Sequence, residues 1–448
     1  MGTLTRREFL KVAGLATSSV VLSQILAACG KAAVATEAPV HLVLGSYVFG
    51  NVPDVYKKMV GDYIAKNPNV IIDYEFADYS GFMDKLTTEI AAGTQPDIAM
   101  LIPDALPKYY AQDLVMDLND LVTAANVDQS KWYANAWLGL QFGANKHYYG
   151  VPLTWDADVL WYNKNIFDAA GAKYPDETWT YDTLVEAAKA LTKVEGGNTT
   201  QWGLGIGWEP WYQMMGMFGV DPWDSQNFQK SMFDNPQVID AVQKTADFYV
   251  KHQTSPVEPP NSGLAVNGAD SQFMAGGMAM LLGGTWNTQT YLDSKSGIVD
   301  FGFDNALSPM DPTGTNRMTI GQPNVFIIFK KTKYLEQAWK LVYDLCVSDA
   351  GQNTLAPSVE IPALKSAAEG TYQKDWLNKL GHPGVQLETM DKYAKNVQYG
   401  LLDENTWMVE VDNELDAVWK GADVPTTCKA LAAKLDSLLA DAKQKYGG

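Results

Sequence analysis

The sequence predicts an α/β protein with a mostly parallel sheet and helices on both faces. Three observations carry this. Short apolar runs alternate with amphipathic stretches of helical period, the pattern of strand–helix–strand units. The 448 residues are enough for two to four domains or two large lobes at roughly 100–200 residues per domain. Composition is that of a globular chain, 46% hydrophobic and 19% charged, which excludes a collagen-like or mainly disordered polymer.

The elements follow in order. His41-Leu42-Val43-Leu44-Gly45 is a short apolar run ending at Gly, a strand. Val52, Val55, Tyr56, Met59, Val60, Tyr63 and Ile64 recur three and four apart, so residues 52–66 form an amphipathic helix stopped by Asn67-Pro68. Val70 to Tyr74 is the next strand, Phe82 to Ala92 a helix ended by Gly93, and Asp97 to Ile102 a third strand. Residues 158–162, 278–282 and 323–329 read as further strands. Thr180 caps a helix over 181–193; others cover 236–251, 334–346 and 430–443. Trp132, Trp137, Trp161, Trp339 and Trp419 fall where core packing is expected. Cys346, inside an apolar helical pattern, reads as a buried small hydrophobe.

The first thirty residues read as an address. Thr5-Arg6-Arg7-Glu8-Phe9-Leu10-Lys11 precedes an apolar stretch from Val12 to Ala28, marginal in length for a hydrocarbon core of ~30 Å. A basic segment before a short apolar one is an export signal, and the paired arginines point to the twin-arginine route. Leu26-Ala27-Ala28-Cys29 resembles the bacterial lipoprotein box, which implies cleavage before Cys29 and diacylglyceryl transfer to its thiol. Two acyl chains give stable anchoring. Residues 30–39 then form a flexible tether.

Net charge is −18. Loss of Arg6, Arg7, Lys11 and Glu8 with the leader takes it to −20 and leaves Arg317 as the sole arginine. An acidic surface repels phosphate backbones, so nucleic acid is not an expected partner. Carboxylate and phosphate sites commonly use the bidentate guanidinium fork, so the scarcity of arginine favours a neutral ligand.

Motifs for chemistry are sparse. None of the four histidines forms an HExxH pair or stands at zinc spacing from a Cys, and there is no GxSxG elbow or P-loop. Gly203-Leu204-Gly205-Ile206-Gly207 has the wrong spacing for a dinucleotide loop and reads as a closely packed strand. Paired carboxylates such as Asp156/Asp158 keep a glycosidase open, because that chemistry leaves no strict signature. Aromatics are abundant, 14 Trp, 22 Tyr and 15 Phe. Several Trp lie beside Gly or Pro: Trp155, Trp208, Trp211 and Trp286. A flat ring packs the C–H face of a sugar while Asp, Glu, Asn and Gln bind the hydroxyl rim.

Several segments together resemble the bacterial extracellular solute-binding proteins of ABC importers, the sugar-binding group that includes maltose-binding protein. They are Gly93-Thr94-Gln95-Pro96-Asp97-Ile98, and Tyr149-Gly150-Val151-Pro152 followed by Trp161-Tyr162-Asn163-Lys164. Asn165-Ile166-Phe167, Ala170-Gly171 and Pro175…Thr178-Trp179 continue the likeness, as does Phe273 to Met280 through Gly284-Thr285-Trp286, with Gly277 where Lys is usual. The resemblance implies the two-lobed periplasmic-binding fold of type II, with lobe 1 at 40–153 plus 328–365 and lobe 2 at 157–321 plus 372–448. It places hinge segments at 154–156, 322–327 and 366–371. The ligand would sit between lobes that close by hinge motion.

Carried over position by position, the likeness implies sugar-binding roles for Asp104, Asp156, Glu209, Trp211 and Trp286, with Trp155 and Trp208 as neighbouring platforms and Trp407 as a later stacking residue. Tyr47 and Asn324 are further candidates. Ala105 stands where maltose-binding protein has Arg, which argues against maltose itself. The implied function is a lipid-anchored, monomeric receptor on the outer face of the membrane or in the periplasm, capturing a neutral sugar or oligosaccharide for the permease of an ABC importer. It would use no metal, cofactor or nucleotide and perform no catalysis. A polyol or glycerol-phosphate ligand, an exported carbohydrate-active enzyme and a purely structural envelope lipoprotein are the alternatives.

Overall fold

Strand β1 (Val40–Tyr47) sits between β2 (Val70–Ala77) and β3 (Ile98–Leu101), parallel to both. Helix α1 (Val52–Lys66) crosses from β1 to β2 and buries Val52, Tyr56, Met59, Val60 and Tyr63, a stripe of helical period. Helix α2 (Tyr79–Ala92) returns from β2 to β3. It starts at Asp78, whose carboxylate accepts from Gly81 N at 2.9 Å, and stops at Gly93, whose φ of 68° is the left-handed cap that glycine adopts without strain.

The centre of the sheet is β4 (Val151–Asn163), thirteen residues buried throughout and about 40 Å long at roughly 3.3 Å per residue. Its first half pairs antiparallel with β8 (Thr319–Ile328), and β8 in turn pairs with β3. Its second half pairs with β6 (Met278–Gly284) and β7 (Phe303–Ala306). Beyond β6 lies β5 (Asn198–Ile206), parallel to it. One path, β2-β1-β3-β8-β4-β6-β5, thus joins a β1–β3 half to a β5–β6 half. The link is where β4 residues 154–157 face β8 residues 324–321, beside a bulge at Asn324/Val325. A third segment runs against this link: Trp155 N donates to Ile361 O (2.9 Å) and Ala363 N to Leu153 O (3.0 Å).

Among the further helices, those with the second half include α3 (Tyr181–Leu191), α4 (Pro210–Phe218), α5 (Pro236–Tyr249), α6 (Gly268–Met274), α8 (Glu404–Trp419) and α9 (Val424–Tyr446); α7 (Leu335–Val342) belongs to the first half. Thr180 caps α3 as expected. The glycine-rich segment is β5, and close packing is the reason for its glycines: a Cβ on Gly203 would lie 1.9 Å from the Ala188 carbonyl oxygen. The five tryptophans expected in the core are buried. Cys346 and Cys428 are free, buried in separate apolar clusters.

The computed structural model describes residues 39–48, 52–207, 209–224, 230–257, 268–293, 302–357, 360–396, 401–402 and 404–446. The expected twin-arginine leader, Cys29 and Trp208 lie outside them. Val40–Gly448 forms one compact unit. No helix among the described residues is long and apolar enough to cross a membrane.

Candidate functional site

Parallel strands put their carboxyl ends at one edge, and ligands of open α/β sheets bind outside those ends. Tyr47 closes β1, and Asp104 sits on the turn Pro103–Ala105 just after β3. In the other half Glu209 follows β5, and Trp286 lies in the turn Thr285–Asn287 after β6. The linking strands add Trp155 and Asp156 from β4 and Asn324 from β8.

Glu209 and Trp286 are half-buried, with surface left to offer a ligand. Glu209 has φ 54°, left-handed for a residue with a side chain, at the start of α4 where Pro210 fixes the first turn. Such strain gathers at functional sites. Trp286 lies flat on the end of β6: a Cβ on Gly284 would sit 2.3 Å from its indole, so only glycine admits the ring there.

The other aromatics are held inside. Trp211 is fully buried; its Nε1 donates to Glu209 Oε2 (3.1 Å) and Asp412 Oδ1 (3.2 Å). It meets Trp407 at 5.5 Å and 74°, and Trp407 meets Trp223 at 5.4 Å and 80°, edge-to-face contacts in the apolar cluster of α4, α5, α8 and α9. Trp155 is also fully buried. Its Nε1 donates to Met390 O (3.2 Å), and its ring presses on Gly321, where a Cβ would be 2.6 Å away. It wedges the two linking strands together and presents no surface to a ligand in this structure.

Tyr47, Asn324 and Asp156 belong to one buried polar chain. The Tyr47 hydroxyl donates to Asn324 Oδ1, and Asn324 Nδ2 donates to Thr154 Oγ1 (2.9 Å) and to Glu360 Oε1. Tyr56 donates to Glu360 Oε2 (3.4 Å). Asp156 Oδ1 accepts from Thr285 Oγ1 (3.1 Å) and from Ile361 N (3.3 Å). Burial first, then the neighbouring Asp156 charge, holds the Glu360 carboxyl well above the usual range; burial likewise raises Asp156 against its stabilising hydrogen bonds.

Sequence reasoning missed Glu360 and Asp412; it named Asp158 only as one of a carboxylate pair and Thr285 only as part of a motif. Glu360 had a signal, a lone acid in the apolar run Val359-Glu360-Ile361-Pro362. Asp158 faces Gly284 across β4 and β6, so its side chain shares the face of the sheet on which the Trp286 ring lies. Both its carboxylate oxygens are buried without a hydrogen-bond partner among the described residues. Burial, with the Asp270 charge nearby, pushes its carboxyl up to about 8.

Arg317 is engaged away from these residues. Nη2 donates to Glu177 O (2.5 Å) and the guanidinium lies 5.5 Å from the centre of the Tyr393 ring. The described residues contain no group of His, Cys, Asp and Glu able to hold a metal ion.

The family model for bacterial extracellular solute-binding protein matches residues 50–353. A maltooligosaccharide ABC transporter solute-binding lipoprotein of Streptococcus pneumoniae is 24% identical over 415 residues, 88% of this chain and 92% of that one. Among solved structures, an ABC substrate-binding protein of Listeria monocytogenes in complex with cycloalternan superposes with a TM-score of 0.75 at 19% identity, covering 90% of this chain and 99% of its own. The sugar-binding protein MalE of Xanthomonas citri gives 0.73 at 18% identity, covering 91% and 99%.

Proposed function

We propose that this chain, which belongs to the bacterial extracellular solute-binding protein family, captures a neutral sugar or oligosaccharide between its two halves and hands it to an ABC importer. The observation that supports this most is the pairing of Trp286, laid flat at the end of β6, with Glu209 on the adjoining end of β5. The ring offers a platform for the C–H face of a sugar, and the carboxylate accepts hydroxyl hydrogens at its rim. Asp104 and Tyr47, both buried in this structure, would reach a ligand only as the halves move, with Asp156 and Asn324 at the hinge; Trp211 and Trp407 hold Glu209 in place from behind, and Trp208 is a further candidate. Arg317 is occupied elsewhere, which favours an uncharged ligand. The maltooligosaccharide and cycloalternan named for the two relatives support a sugar.

In this reading the halves are 40–153 plus 328–365 and 157–321 plus 372–448, and the linking segments act as hinges. Contacts to both walls form together only on closure, so ligand shifts the population toward the closed form that the permease engages. The twin-arginine leader and lipidated Cys29 would place the receptor outside the cytoplasmic membrane. No reaction is catalysed.

A thermal-shift screen against neutral oligosaccharides, polyols, glycerol phosphates and amino acids tests this. A ligand at about 1,000 times its Kd adds ~4 kcal/mol, a rise of several degrees. The expected result is a shift with one group of sugars, lost in Trp286→Ala, with the sugar recovered intact. A shift only with charged ligands, or release of hydrolysis products, would overturn the reading.

A further inference from the structure

Glu360 has no part in the ligand walls, yet it joins the two halves. From one side it is reached by Tyr56 of α1 and by Asn324, which Tyr47 of β1 also holds. From the other, Thr285 at the end of β6 is bonded to Asp156, and Asp156 is bonded to Ile361, the residue after Glu360. Rotating one half against the other therefore pulls on the Asp156–Glu360 junction. Both carboxyls are buried. Among the described residues, the titratable groups beside them include Tyr47 and Tyr56 of the first half, Tyr372, and the Cys346 thiol beyond Tyr56; none of these carries positive charge.

Two carboxylates in a desolvated site cannot both ionise without strong repulsion. With one proton between them they can remain buried together. With none, an arrangement of the halves that admits water to them is favoured. We propose that Asp156 and Glu360 are a proton-sharing pair at the hinge, so that closure of the receptor takes up a proton and loosens as both carboxyls ionise. This rests on the two-halved receptor reading above, and a shortage of protons would then favour ligand release. Because the closed form binds the additional proton, raising pH lowers the closed-to-open ratio, by up to about tenfold per pH unit once that proton begins to leave.

Small-angle X-ray scattering of the purified, sugar-free protein from about pH 5 to about pH 9 tests the proposal. The radius of gyration should rise with pH while far-UV circular dichroism stays constant, and Glu360→Gln should abolish the rise. A radius that does not change with pH in the wild type, a rise that persists in Glu360→Gln, or a rise that tracks loss of dichroism would overturn it. Should Glu360→Gln not fold, the wild-type titration decides, with Asp156→Asn expected to flatten it likewise. A maltotriose titration by calorimetry in phosphate and in Tris separates the two readings. Proton uptake on binding supports the hinge pair. Binding of neither maltotriose nor any other neutral oligosaccharide of the thermal-shift panel, alongside an intact scattering transition, counts against the sugar assignment and leaves the hinge pair supported.

Discussion

Trp286, Gly284 and Asp158 form one small unit at the end of β6, and each makes a separate prediction. Removing the platform in Trp286→Ala should weaken sugar binding by at least about 2 kcal/mol, roughly thirtyfold, without lowering the melting temperature of the sugar-free protein. Gly284→Ala drives a methyl into the indole at 2.3 Å, so affinity should fall while the ring, still present, shifts its fluorescence. An unchanged Kd in Gly284→Ala would show that the position of the ring does not matter. Asp158 acts on stability. It keeps its proton up to about pH 8 when folded, against a carboxyl near ~3.9 when unfolded. Between those values the folded chain binds more protons, so stability falls as pH rises through the window. Asp158→Asn should make the decline of melting temperature across that window shallower, and parallel curves would contradict the assignment. Trp286 and Glu209 could be picked out as candidates because they stand in recognisable motifs beside Gly and Pro. Asp158 could be named only as one of a carboxylate pair, and Glu360 not at all, because their burial is imposed by strands and loops distant in sequence.

Helices and strands were read best where one face is buried. The α1 stripe gave its observed bounds, and Thr180 and Gly93 ended their helices by cap chemistry visible in the chain. Several elements run beyond their expected bounds, such as α9, which starts at Val424 rather than residue 430, and two differ for identifiable physical reasons. Only the second half of β4 was expected, because Pro152, Thr154 and Asp156 interrupt the apolar run of a strand buried on both faces. The helix expected through Cys346 ends its α-type bonding at Val342. Residues Tyr343–Val347 widen into a π turn, with Ser348 N donating to Tyr343 O at 3.0 Å and the Ser348 side chain capping the next helix. Apolar periodicity does not distinguish that turn from α-helix. The close approach of α3 to β5 is also testable. Gly203→Ala meets the Ala188 backbone, which cannot yield, so a loss of about 1–3 kcal/mol is expected. Gly205→Ala meets the flexible end of Met278 and should cost less. Chemical denaturation of both variants checks the order, and equal losses would contradict it.

At the scale of the molecule, the alternation of elements announced an α/β fold, and the motifs indicated the family. What the chain could not display locally is how three distant segments, around 155, 323 and 361, come together at one junction. In the proposed reading, that junction is the hinge about which the two sheet halves would close. The acidic surface disfavours an anionic ligand, and the engagement of Arg317 with Glu177 and Tyr393 fits the proposed reading of an uncharged ligand held by ring stacking and hydroxyl hydrogen bonds. In the proposed reading, one neutral sugar binds between the halves of each chain. Isothermal titration of the purified protein with neutral oligosaccharides is the decisive experiment. A saturable isotherm with one site per chain is expected for at least one sugar. Flat thermograms across every sugar, with heat released only by a charged ligand, would contradict it.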